Sequence, residues 1–231
     1  MKHSYNTISL IIPFYNEENT LEESILQLIS LDFVTEIILV NDGSNDRSLL
    51  IASKLIEDYP YIKLLNHSKN LGKGNAIKEG FNLASKDIIG VFDADLEYSP
   101  KDVKKLYEII KLKELDFIIG SRFIGNETRD NIYLRTLYAN KFLSFLFSFM
   151  YKNKITDIAT CLKLFRKELI KGIEIEKNGF SSEIELLAKV LKQTTHYEEF
   201  PISYKGRTYA EGKKIKFIDG LKWIVAIYKY R

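Results

Sequence analysis

Residues 88–100 read Ile88-Ile89-Gly90-Val91-Phe92-Asp93-Ala94-Asp95-Leu96-Glu97-Tyr98-Ser99-Pro100. The apolar run 88–92 is β-branched and too short for a helix, so it reads as a buried strand. Ser99 followed by Pro100 reads as a cap and a first helical residue, opening a helix over 100–113. Between strand and helix stand three acids at i, i+2 and i+4. In an extended chain Asp93 and Asp95 share a face. Two carboxylates there repel each other unless a cation lies between them. A hard divalent cation takes oxygen ligands and keeps positions open for substrate phosphates. Glu97 offers a third oxygen donor. Alone the D-x-D is a weak signal, because aspartate is common in turns.

The same strand-then-helix module repeats on both sides of this stretch. Residues 8–12, 36–40, 62–66, 88–92 and 117–120 read as strands, with helical patterns over 18–30, 46–58, 74–85 and 100–113 between them. This order predicts an α/β fold, a mostly parallel sheet with helices on both faces. Such sheets bind ligands at the carboxyl ends of their strands. The second half is less regular: a helix over 133–151, a strand over 161–165, a helix over 182–193, strands within 196–205 and a last helix over 216–229. No repeat or linker divides the chain, so one domain of 231 residues is expected. Within it, residues 1–120 would form a regular half and 121–231 a less regular one.

Composition narrows the class. A chain 45 % hydrophobic and 28 % charged is neither disordered, collagenous nor coiled coil. A net charge of +3 gives no argument for nucleic acid. A single cysteine excludes a disulfide framework and a cysteine zinc site, and fits a reducing compartment. His3, His67 and His196 fall in no metal-ligand spacing. The N-terminus lacks the pattern of a signal peptide. The greasiest stretch, 141–151, is too short to span a bilayer. That stretch, with the helix leading into it, and the C-terminal 215–231 mix aromatic with basic residues, which suits helices lying on a membrane surface. The alternative for both is packing on the core.

The loops after the other strands add chemistry. Pro13-Phe14-Tyr15-Asn16-Glu17 follows the first strand; Tyr15 suits a nucleobase, and Glu17 suits base or ribose or simply a helix dipole. Asn41-Asp42-Gly43-Ser44 follows the second and places a further carboxylate, or a plain turn, at a strand end. Asn70-Leu71-Gly72-Lys73-Gly74-Asn75 follows the third. Its glycines permit close backbone approach and its lysine supplies charge for an anion. The spacing is not that of a Walker P-loop. Three successive strands ending in such loops, then the D-x-D, form a far more specific signal than any one alone.

On these residues the sequence resembles family 2 glycosyltransferases of the GT-A fold. More narrowly it resembles the dolichyl- and polyprenyl-phosphate mannosyl- and glucosyltransferases. The stretches that carry the likeness are IIPFYNEENT, VNDGSNDRS, NLGKGNAIKEGF, DADLEYSP, GSRF, TDIATCLKLFR, GFSSEIELLAKV and PISYKGRTYAEGKKI, running from residue 8 to the C-terminus. The resemblance implies a nucleotide-sugar site made by Pro13, Tyr15, Glu17, Asp42, Lys73, Asp93 and Asp95. It implies a Mg²⁺ or Mn²⁺ ion on Asp93, Asp95 and Glu97, the last where relatives often carry Gln. Arg122 would face phosphate and act in catalysis with Asp95. Asp157 would stand nearest the acceptor. Arg135 and Arg207 would clamp anions, joined by Lys213 and Lys214. Cys161-Leu162-Lys163 departs from the Cys-Gly-Phe-Lys of relatives, and Cys161 is expected to pack rather than react.

Guanidinium groups bind phosphate bidentately, so Arg122, Arg135 and Arg207 suit two phosphorylated substrates in one cleft. Glu183 and Glu185, at i,i+2 on a helix, point apart; one is expected to face the cleft beside a basic residue and the other to be solvated. The expected reaction is an inverting, metal-dependent transfer of a hexose from UDP-glucose or GDP-mannose to a polyprenyl phosphate. It would occur at the cytoplasmic face of a membrane, in assembly of cell-envelope glycan, with a homo-oligomer or membrane-protein partner open. The rivals are a family 2 transferase acting on a glycan or protein hydroxyl, a sugar nucleotidyltransferase, and a non-catalytic nucleotide-sugar-binding module. The absence of glycine from residues 8–20 argues against the nucleotidyltransferase.

Overall fold

The computed structural model describes residues 7–131, 133–208 and 217–231. Four β-α steps come first: β1 (Ile8–Phe14), α1 (Leu21–Ile29), β2 (Glu36–Asn41), α2 (Ser48–Asp58), β3 (Ile62–Asn66), α3 (Lys73–Leu83), β4 (Ile88–Val91) and α4 (Pro100–Leu112). Then follow β5 (Phe117–Ser121), β6 (Arg129–Asp130), α5 (Leu134–Tyr151), β7 (Lys163–Arg166), α6 (Lys167–Ile170), α7 (Ser182–Leu191), β8 (Tyr197–Pro201), β9 (Tyr204–Lys205) and α8 (Phe217–Lys229). Seven strands make one sheet in the order β3-β2-β1-β4-β7-β5-β8, and β6 pairs with β9 beside it. All neighbours in the large sheet are parallel except β7, which runs against both β4 and β5.

The alternation along each strand explains the two layers of core. Ile8, Leu10 and Ile12 of β1 and Ile37 and Leu39 of β2 pack with α1, α2 and α4. Ile11, Ile38, Val40 and Ile89 face the other way, into a core shared with α5, α7 and α8. A period of two sends successive side chains to opposite faces, so strands covered on both sides read as continuous apolar runs. One charged exception is Glu36. It is buried and accepts from Ser9, from Lys63 Nζ at 2.7 Å and from Ser85 N and Oγ at 2.8 Å each. Burial opposes its charge, but those donors prevail and hold its carboxyl down at about 2.

α4 begins as expected: Ser99 Oγ accepts from Lys101 N at 3.3 Å, with Pro100 at the first turn. α8 divides its aromatics between the two readings left open by the sequence. Trp223, Ile227 and Tyr230 are buried while Tyr228 is exposed, so one face of the helix packs on the core. Tyr151 Oη donates to the Ile227 carbonyl at 3.1 Å, tying α8 to α5. No described helix is long and apolar enough to cross a membrane.

Candidate active site

Strand order reverses at β1 and β4: β2 and β3 lie to one side, β7, β5 and β8 to the other. A crevice at the carboxyl ends of such strands is where an open α/β sheet takes its ligand. A cavity of about 420 Å³ lies there. Its wall includes Pro13, Tyr15 and Glu17 after β1, Asp42 after β2, Asn70, Gly72 and Lys73 after β3, and Asp93, Asp95 and Glu97 after β4. Arg122, Cys161, Glu183 and Arg207 of the second half complete it.

Two glycines fix the third loop. Gly72 has a φ of 95°, open to glycine at little steric cost, and its N–H donates to Asp42 Oδ2 at 2.9 Å. At Gly74 a Cβ would collide with the Lys177 carbonyl and the Ser182 side chain. The first turn of α3 therefore lies directly on the start of α7. That approach brings Lys73 Nζ within 2.8 Å of both Asp93 and Glu183. Glu183 Oε2 lies 3.5 Å from the buried Lys163. Asp42 also accepts from Leu71 N at 2.8 Å and meets His67 Nδ1 at 3.0 Å, so it braces the loop as well as lining the cavity.

Arg207 occupies the centre of the acid cluster. It donates to Glu17 at 2.9 and 3.2 Å and to Asp95 at 3.2 Å, while its backbone N–H donates to Glu97 at 2.8 Å. Burial, with Asp93 and Glu97 nearby, pushes the Asp95 carboxyl up to about 8. Arg122 and Asp157 form the opposite arrangement. Arg122 Nε and Nη2 donate to the two oxygens of Asp157 at 2.7 and 2.8 Å, and Asp157 also accepts from Arg122 N at 3.0 Å and Ala159 N at 3.2 Å. The guanidinium lies over the Tyr204 ring, 4.9 Å from its centroid.

Several expectations change. Asp157 is fully buried and does not line the cavity; the fork with Arg122 takes both its oxygens. Arg135 is exposed on α5 and stands outside the cavity wall. Glu97 is held by hydrogen bonds: Oε1 accepts from Arg207 N and Oε2 from Tyr204 Oη at 2.6 Å. Among the described residues no three His, Cys, Asp or Glu side chains converge to hold an ion. Glu185 is buried rather than solvated, accepting from Glu176 N, Lys177 N and Lys189 Nζ. Cys161 is buried, and burial raises its thiol. Lys213 and Lys214 lie outside the described residues. The sequence reading missed Tyr98, Phe180 and Tyr204 in the wall, and it left the C-terminal helix between membrane and core without placing Trp223 at the cavity, which that ring lines. Lone aromatics in irregular segments carry no spacing signal.

Among the described residues the wall carries six carboxylates (Glu17, Asp42, Asp93, Asp95, Glu97, Glu183) against three cations (Lys73, Arg122, Arg207). A diphosphate entering such a surplus meets repulsion unless a cation comes with it. Asp93 and Asp95 supply hard oxygen donors suited to a divalent ion that completes its shell from phosphate and water.

Comparison with known proteins agrees with this geometry. Residues 9–173 match the model of glycosyl transferase family 2. The dolichol-phosphate mannosyltransferase of Pyrococcus furiosus is 33 % identical over 96 % of this chain and 64 % of its own length. The dodecaprenyl-phosphate galacturonate synthase of Rhizobium johnstonii is 27 % identical over 73 % of this chain and 50 % of its own. The chain thus spans about half to two thirds of these two relatives. Among solved structures, glucosyl-3-phosphoglycerate synthase of Mycobacterium tuberculosis, in complex with Mn²⁺, UDP-glucose and phosphoglyceric acid, superposes with a TM-score of 0.74 at 18 % identity, over 97 % of this chain and 79 % of that one.

Proposed function

Because the chain belongs to glycosyl transferase family 2, we propose that it transfers a hexose, with inversion, from a nucleoside diphosphate sugar to a polyprenyl phosphate. The observation that carries this reading is the Asp157–Arg122 fork. A hydroxyl acceptor needs a base at the reaction centre, worth about 10²–10⁴-fold. The acid expected for that task is sealed away from the cavity, and what it presents to the cavity is a guanidinium. A lipid phosphate is already an anion at neutral pH, its second pKa being about 6. It needs a cation to hold it and no base. The names of the relatives above, both acting on polyprenyl-type phosphates, point the same way.

The residues divide the work as follows. Tyr15, Glu17 and the Asp42-braced loop hold the nucleotide. Arg122, fixed by Asp157 and by the Tyr204 ring, holds the acceptor phosphate with its charge directed into the cavity; its Nη1 is not engaged by Asp157. Lys73 keeps Asp93 and Glu183 in place beside the sugar. Asp93 and Asp95 would hold a Mg²⁺ or Mn²⁺ ion, which when bound neutralises the departing diphosphate. Arg207, which donates to Asp95 at 3.2 Å, would add its own positive charge for the phosphates. The attack then proceeds in one displacement from the Arg122 side.

The test is turnover with a short-chain, water-soluble polyprenyl phosphate and either UDP-glucose or GDP-mannose. Polyprenyl-phosphate-linked hexose and free nucleoside diphosphate are expected. Turnover only with a glycan or protein hydroxyl would replace this reading with the rival transferase. Donor binding with no turnover on any acceptor would replace it with a binding module.

A further inference from the structure

The outer face of α5 carries Leu134, Tyr138, Phe142, Phe145 and Phe149, each 57–74 % exposed. Their spacing of 4, 4, 3 and 4 places all five in one stripe along the helix. Leu143, Phe147 and Met150 on the other side are buried and already anchor α5 to the core. The stripe therefore contributes nothing visible to folding. α8, joined to α5 through Tyr151, carries a second stripe of the same kind: exposed Leu221, Val225 and Tyr228, spaced 4 and 3. Soluble surfaces seldom keep contiguous large apolar side chains unless something covers them.

Charge selects the cover. α5 contains no Asp or Glu, and its exposed Arg135 and Lys141 border the stripe. Lys222 lies on the corresponding flank of α8, where Lys229 is paired with Glu176 at 2.6 Å. Two copies of this chain meeting through the face would bring like charges together. An anionic bilayer meets apolar with apolar and positive with negative, which is the pattern of a helix lying in the interface plane. At about 1.5 Å per residue, the 18 residues of α5 lay about 27 Å of helix along such a surface.

We propose that the outer faces of α5 and α8 form one docking surface for an anionic lipid bilayer, set beside the mouth of the cavity. Two contacts make that connection. Lys141 Nζ lies 5.8 Å from the centroid of the Phe123 ring, and Arg122 of the cavity wall lies 5.5 Å from the same ring. On α8, Trp223 lines the cavity while Leu221, Val225 and Tyr228 look outward. The surface stands on its own observations. Its purpose, presenting Arg122 to a phosphate borne by lipid, rests on the function proposed above.

The experiment is flotation of the full chain with vesicles of phosphatidylcholine alone and of phosphatidylcholine mixed with phosphatidylglycerol. The chain should float with the mixed vesicles and bind the neutral ones more weakly. Phe142→Ser, Phe145→Ser and Phe149→Ser together should cut partitioning more than about tenfold. Lys141→Gln should cut it about fivefold, on anionic vesicles only. Melting temperature, and turnover with the water-soluble acceptor, should match wild type in both variants, separating docking from folding and chemistry. Wild-type protein that stays in solution with both vesicle types, or a triple variant that floats as wild type does, overturns the surface. A concentration-dependent dimer that the triple variant abolishes, without vesicle binding, overturns it in favour of a second copy. Flotation retained by a protein inactive on every polyprenyl phosphate supports the surface and overturns the acceptor reading instead.

Discussion

Two ion-pair systems stand at one cavity, and they are built differently. At Asp157 a single guanidinium fills both oxygens in a closed fork, wholly buried, with backbone donors completing the shell. At Asp95 one guanidinium is shared between Glu17 and Asp95, while its backbone serves Glu97, in a wall with more carboxylates than cations. A closed pair resists exchange because breaking it strands a buried charge. A shared, under-compensated cluster is suited to exchange one cation for another. One system is a fixture and the other a socket.

Substitutions sharpen this contrast, beginning with the largest effect. Asp95→Asn should lower initial rates about 10³-fold, as loss of a transition-state electrostatic contact does. Its melting temperature should hold or rise, because a crowded buried carboxylate has been removed. An active Asp95→Asn protein would break the comparison. Asp157→Ala should instead cost stability, about 3–5 kcal/mol in urea unfolding, by leaving Arg122 buried and unpaired. Asp157→Asn keeps part of the fork and should fall between wild type and the alanine variant. If it abolishes turnover as completely as Asp95→Asn at unchanged stability, Asp157 acts on the acceptor directly.

Arg207→Gln should tighten Mn²⁺ binding to the nucleotide-free protein about tenfold in calorimetry, since one positive charge no longer competes for Asp95. In wild type that affinity should climb with pH and level off near 8, because below that pH the ion must displace the Asp95 proton. A flat profile from pH 6 to 9 would remove the proton from the socket. Glu36 is the closed-pair control remote from the cavity wall. Its folded pKa is depressed to about 2, so its stabilisation is full above the unfolded value of about 4.3 and is lost as pH falls through 2. Glu36→Gln should therefore cost about 2 kcal/mol at pH 7, and that difference should shrink between pH 4 and pH 2. A constant difference across that range would deny the charge its role.

The sequence disclosed the first half almost to its boundaries. Residues 8–121 repeat one module, and each strand end announces its loop with Asp, Gly or Asn. The second half hid its organisation because its decisive contacts are not periodic. Nothing in Lys163–Arg166 shows that it runs against its neighbours, since a four-residue strand reads alike in either direction. Arg122, Arg135 and Arg207 look equivalent in the chain. Only tertiary placement shows that the first is forked, the second lies on an outer helix and the third sits among acids. Tyr98 and Tyr204 escaped notice because an aromatic residue in the cavity wall and one in the core have the same letter. Glu185 was expected in water, yet its helix register turns it toward the Glu176 and Lys177 backbone amides.

The reversed strand has a consequence for assembly and evolution. Six strands of the large sheet leave it toward the cavity, whereas β7 enters from the cavity side. The segment 156–162 is thus anchored downstream, by hydrogen bonds to β4 on one edge and β5 on the other. Turns on the far side, such as the one at Gly172 where nothing lies within 4 Å of a would-be Cβ, are accordingly places where the chain could be lengthened, rejoined or cut with both cavity walls still fastened to a common backbone frame.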